Sequence, residues 1–265
     1  MPIVFAAITP HPPVLIPDIG KDNLGKISQT EAAMKKLEQE LYAAKPASLV
    51  IISPHGQVLN DAFNINLSAD YSVNFKEFGD FTIESKFKSD FMSIQEIRAS
   101  DETQKAVPIV LTSQQELDHG FGVPLYYLTQ HLKDIQLIPI TYSALDLQQH
   151  FNFGQFLYRQ LAKINKRFAI VASGDLSHKL TNDAPAGFSK KGAEFDKKLV
   201  ELIKKIDANG IIGLDQKLCD EAGQCGLRSI AVLLGIIKQL NVEPEVLSYE
   251  GPFGVGYLVA NFKFK

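Results

Sequence analysis

The sequence predicts an α/β fold with parallel strands at its centre, and three observations carry that prediction. Short apolar, largely β-branched runs recur at residues 3–8, 49–52 and 168–172, and runs of this kind read as strands buried on both faces. Each run ends in a Pro- or Gly-containing break that leads to a histidine: Thr9-Pro10-His11-Pro12-Pro13, Ser53-Pro54-His55-Gly56 and Ser173-Gly174-Asp175-Leu176-Ser177-His178. Between the first two lies an amphipathic stretch, 28–44, with Ala33, Leu37, Leu41 and Ala44 on one face. Strand, helix, strand in that order implies parallel strands whose ends point the same way, so His11 and His55 share the edge where open α/β sheets bind ligands.

Composition narrows the class. The chain has 265 residues, 45% hydrophobic and 22% charged, with mean hydropathy near zero, enough for a substantial core. No repeat, low-complexity tract or linker divides it, so one domain over 1–265 is expected. A net charge of −3 gives no basic surplus for nucleic acid. Neither a signal segment nor a membrane-length apolar run is present, and the cytoplasm is the expected location. Cys219 and Cys225 are too few for a disulfide scaffold.

The remaining elements follow in order. Residues 63–67 and 81–87 read as strands, 90–99 as a helix and 107–111 as another strand, followed by a polar linker at 113–116. Then comes Leu117-Asp118-His119-Gly120, a glycine-flanked loop with Pro124 placed to open a helix at 125–132. A strand at 135–142 and a helix at 147–164 follow, and His131 and His150, which lack any Gly or Pro setting, read as surface groups. After the strand at 168–172, Asp175 is near enough to His178 to orient a ring nitrogen. A charged helix spans 190–208, an apolar helix 226–240, and two closing strands, 245–249 and 256–264, are expected to pair antiparallel at the sheet edge.

Four of the six histidines thus lie in Gly- or Pro-flanked loops, three of them after apolar strands. Two imidazoles at parallel strand ends plus one carboxylate form a face that suits non-haem Fe(II) and leaves positions open for substrate and dioxygen. Further neutral histidines beside it can serve as acid/base groups.

Five motifs in order, Thr9-Pro10-His11-Pro12-Pro13, Ser53-Pro54-His55-Gly56, Leu117-Asp118-His119-Gly120, Ser173-Gly174-Asp175-Leu176-Ser177-His178 and Glu221-Ala222-Gly223-Gln224-Cys225-Gly226, resemble those of the catalytic B subunit of class III extradiol ring-cleavage dioxygenases, the LigB-like superfamily. The resemblance spans nearly the whole chain. It implies a three-layer α/β/α fold with a mostly parallel central sheet, and a mononuclear Fe(II) that binds a catechol-type diol and dioxygen. His11 and His55 match the two histidine ligands, His178 the acid/base group, and His119 the second active-site histidine, held here by Asp118. Glu221 is the candidate third ligand. Gln224 stands where the family pattern has a second glutamate, and Memo-like proteins, a related branch, place a cysteine in this neighbourhood, which makes Cys225 the rival. Two other functions share the same residues: a Memo-like protein that binds metal and a partner without cleaving a ring, and a zinc-dependent hydrolase, zinc being the alternative ion. The resemblance also implies either a homo-oligomer or a complex with a small A-type subunit. Residues that line the aromatic ring are expected between 70 and 106.

Overall fold

The computed structural model describes residues 2–100, 108–132 and 134–265. Its strands are β1 (Ile3–Thr9), β2 (Ser48–Ser53), β3 (Phe63–Asn66), β4 (Asp70–Phe75), β5 (Asp80–Ser89), β6 (Ile109–Thr112), β7 (Glu116–Leu117), β8 (Gln136–Thr141), β9 (Phe168–Ser173), β10 (Val242–Glu250) and β11 (Tyr257–Phe264). They make one sheet in the order β10-β11-β1-β9-β2-β8-β5-β4-β7, with β3 joining β8 to β6. The centre is parallel, β1 to β9 to β2 to β8, and β11, β10, β3 and β4 bring antiparallel pairs to its flanks. The closing strands pair antiparallel at the edge, as expected from the short loop between them.

Period-two alternation assigns the apolar residues to two layers. In β2, Leu49 and Ile51 face a core built with the Ser28–Ala44 and His119–Leu128 helices, and Val50 and Ile52 face the opposite one. That second layer holds the helices Phe91–Ala99, Leu147–Leu161, Lys190–Ile203 and Leu227–Ile237. Burial on both faces explains the uninterrupted apolar runs, and each buried Leu, Ile or Phe contributes roughly 1.5–3 kcal/mol.

Several expectations need correction. A further strand, β4, occupies residues 70–75, where no element is expected from the sequence; Tyr71, Val73 and Phe75 point inward and Asp70, Ser72 and Asn74 point out or are half-buried. Part of the polar 113–116 linker pairs as β7, too short to leave a period. The charged helix stops at Ile203, and the chain leaves it through Ile206 at φ 51, a conformation that ends helices. Val107, the expected start of β6, lies outside the described residues.

Pro124 sits inside the His119–Leu128 helix instead of opening one. The helix begins earlier because Asp118 caps it, accepting the Gly120 N–H at 2.8 Å. His150 is fully buried, not on the surface. Its ring packs edge-on against Phe63, its Nδ1–H donates to the Asp146 carbonyl at 2.7 Å, and its Nε2 accepts the Ser143 N–H at 3.3 Å. An amide N–H can only donate, which fixes this tautomer. His131 does lie at the surface, against Glu38.

Burial lowers the pKa of His150 to about 4, so near neutral pH it is uncharged in the fold. The unfolded chain binds the extra proton between pH 6.5 and 4, so the contribution of His150 to stability is complete above 6.5 and is lost as pH falls to 4. Over that window the loss is roughly 3 kcal/mol. Denaturant titrations of the parent and His150→Gln should give a stability difference that shrinks on acidification. Asp175 and Asp196, raised to about 6 by burial, slope the other way in both proteins and cancel. Parallel pH curves would remove His150 from the account.

Candidate metal centre

The register of the parallel strands sets the site. Thr9 pairs with Ser173 and Ile52 with Ala172, so β1, β9 and β2 end level and the segments carrying His11, Asp175 and His55 leave the same edge side by side. The rings lean together: centroids of His11 and His55 are 4.9 Å apart, those of His55 and His119 4.2 Å, and those of His11 and His119 5.5 Å. One ring nitrogen from each of these three residues lies within 4.8 Å of the other two. The structure therefore brings His119, not Glu221, to the two strand-end histidines. Glu221 is half-buried near the end of the Gln216–Ala222 helix, where its charge is felt by Lys191.

His11 is held in the tautomer a cation needs. Its Nδ1 is 2.9 Å from Ser173 Oγ, and that hydroxyl donates its one proton to the Gly120 carbonyl at 2.5 Å. Ser173 must then accept from His11 Nδ1–H, which leaves the Nε2 lone pair facing the cluster. The Gly120 carbonyl is free to accept because its helical partner four residues on is Pro124, which has no N–H. Gly120 also admits the approach itself, since a Cβ there would lie 2.7 Å from His55 Cδ2 and 2.5 Å from Ser53 Oγ. One proline and one glycine in the His119 helix thus set two rings in other segments, and the i, i+4 spacing of Gly120 and Pro124 is the signal in the sequence.

Burial, followed by the neighbouring His55 and His178, holds the His11 pKa well below 6.5. Burial with His55 and His11 lowers His119 to about 3. Both rings are neutral near pH 7, with lone pairs available.

Two aspartates act differently from expectation. Asp175 accepts the backbone N–H of His11 at 3.0 Å and does not orient the ring of His178, while its Oδ2 lies 3.9 Å from His11 Nε2. Asp118 caps its helix and does not hold the His119 ring. His178 enters the same neighbourhood, with its backbone N–H on the Ala222 carbonyl and its ring close enough to act on His11 and Asp175. Its Nδ1 is buried without a hydrogen-bond partner among the described residues. Cys225, half-buried, lies 3.7 Å from His11 Nε2 and receives the Asp175 N–H at 3.2 Å. Burial, then the charge of Asp175, pushes the thiol pKa far up.

Residues 5–260 match the family described as the catalytic LigB subunit of aromatic ring-opening dioxygenase. The chain belongs to the LigB family. Among its relatives is Protein CA_C1420 of Clostridium acetobutylicum, 32% identical over 262 residues, 94% of this chain and 55% of that protein. The MEMO1 family protein Mbar_A1422 of Methanosarcina barkeri is 26% identical over 134 residues, 50% of this chain and 47% of that protein. This LigB-family chain therefore spans about half the length of the curated relatives it matches. The crystal structure of the uncharacterized protein JW3007 from Escherichia coli K12 shares the fold, with a TM-score of 0.66 at 15% identity, covering 98% of this chain and 99% of that one. Among the described residues, no helix is long and apolar enough to cross a membrane.

Proposed function

We propose that this LigB-family chain is a non-haem Fe(II)-dependent extradiol dioxygenase that opens the ring of a catechol-type aromatic with dioxygen. The convergence of His11, His55 and His119 carries the reading, together with the preset tautomer of His11 and the buried, unpartnered Nδ1 of His178. His11 and His55 hold the ion and His119 closes the set, with Glu221 outside it. Bound there, Fe(II) supplies Lewis acidity to a diol and redox exchange with dioxygen. His178 takes one phenolic proton and returns it as the ring opens, an exchange worth about 10²–10⁴ in rate. Asp175, behind His11, holds that segment by its backbone N–H, so the ring does not drift as the proton moves. A small aromatic diol and dioxygen are the partners this reading requires.

Protein purified without oxygen and reloaded with Fe(II) is expected to take up one dioxygen per catechol consumed. The rate should fall about 10²–10⁴-fold in His178→Ala with metal content unchanged. A loaded protein that consumes no oxygen with any simple catechol would end this assignment.

A second reading, a Memo-like metal protein without ring cleavage, is favoured by the thiol of Cys225 standing 3.7 Å from His11 Nε2. A thiolate suits softer ions such as zinc or copper(I), and the metal must displace a tightly held proton to bind it. Under that reading Cys225→Ser loses the metal and His119→Gln keeps it. The dioxygenase reading expects the reverse.

A further inference from the structure

Beside the three-histidine cluster lies a cavity of about 380 Å³ that His119 helps to line. Two features of its walls are independent of each other. Phe78, on the turn between β4 and β5, is 37% exposed and stands edge-on to the His119 ring at 5.1 Å, so it is an apolar face turned to the cavity and not to the core. Glu77, Glu116 and Asp118 also line the cavity, and among the described residues no lysine or arginine does. Glu116 takes its hydrogen bond from the neutral amide of Asn74 at 2.9 Å, and among the described residues no cationic side chain forms an ion pair with any of the three carboxylates.

We propose that this cavity selects the substrate by charge: it receives an aromatic diol whose substituent is a protonated amine, and it turns away the same diol carrying a carboxylate. Phe78 provides the face against which an aromatic ring packs, since offset or edge-on ring pairs at such separations are favourable. The carboxylates then act on the substituent. An ammonium group gains from an unpaired carboxylate in a partly enclosed cavity, and a second anion there is repelled by the same charges, with no lysine or arginine among the described lining residues to offset them. The inference deepens the ring-opening reading and rests on it for the diol end of the ligand.

Two probes with the same ring separate the charge effect from diol recognition: 4-(2-aminoethyl)catechol and 3,4-dihydroxyphenylacetate. Calorimetry on the metal-loaded protein without oxygen should show the amine binding at least about 10-fold more tightly than the acid at low salt. That ratio should shrink as salt is added and should fall toward one in Glu77→Gln/Glu116→Gln. Phe78→Ala should weaken both probes and leave their ratio unchanged. Equal binding of the two probes, or a preference for the acid, overturns the charge proposal while the diol reading stands. Binding of neither removes the diol reading and this proposal with it. A ratio that persists in the double variant assigns the selectivity to other groups and overturns the role given to these two glutamates. If the double variant does not fold, the salt titration of the parent decides, and a ratio that ignores salt overturns the proposal.

Discussion

His55→Ala is expected to purify with far less metal than the parent. His55 is the middle ring of the cluster, 4.9 Å from His11 and 4.2 Å from His119 between centroids, and both of its backbone polar groups are fixed, the N–H on Ser53 Oγ and the carbonyl under Thr141 Oγ1. Alanine keeps this backbone and removes the imidazole, and with the backbone bonds retained the loss reads as lost coordination and not as a rearranged loop. Loss of a group that merely orients a ligand costs about 10–100-fold in metal affinity, and loss of a ligand should exceed that. Glu221→Gln is the matched comparison, and it should retain the metal because that carboxylate is not part of the group formed by His11, His55 and His119. Metal analysis of anaerobic preparations checks both. Equal content in His55→Ala and the parent removes His55 from the set, and loss in Glu221→Gln returns the carboxylate to it.

Gly174→Ala is expected to give the largest stability change for a single methyl group near the site. A Cβ at Gly174 would lie 2.2 Å from Gly226 Cα and 3.1 Å from Gly226 N, backbone that cannot turn aside as a side chain can. The two segments are also tied together, with the Gly226 N–H on the Asp175 carbonyl at 2.9 Å. Forcing them apart should cost about 1–3 kcal/mol, or roughly 2–4 °C in melting temperature for each kcal/mol in a chain of this size. It should also carry Cys225 and the start of the Leu227–Ile237 helix away from His11. Gly25→Ala, with nothing within 4 Å of its added Cβ, is the control and should melt within a degree or two of the parent or slightly higher. Equal melting temperatures for the two variants would show that the backbone contact is looser than drawn.

The central strands, the parallel crossover and the level strand ends were legible because each depends on local pattern. Apolar runs at 49–52 and 168–172 need no partner to be recognised, and a helix between two strands constrains their direction. β4 shows the limit of this reading: Tyr71, Val73 and Phe75 alternate cleanly, yet three inward residues among polar ones are a short signal. His150 shows another limit. It follows Gln148 and Gln149 with no Gly or Pro beside it, and its ring packs against Phe63 and Tyr142, brought by β3 and the end of β8.

The sequence by itself determined that His11, His55 and His178 follow strands and that an aspartate and a glycine flank His119, because strand ends and turns are coded within a few residues. Only the tertiary structure decided which groups meet. His119 joins His11 and His55 across more than sixty residues of chain, Cys225 reaches His11 although Glu221, four residues earlier, does not, and Pro124 frees the Gly120 carbonyl that orients Ser173 and, through it, His11. Such contacts depend on how two layers of helices seat on one sheet, to within an ångström or two. Close packing of side chains from distant segments sets that distance, and no local pattern contains it.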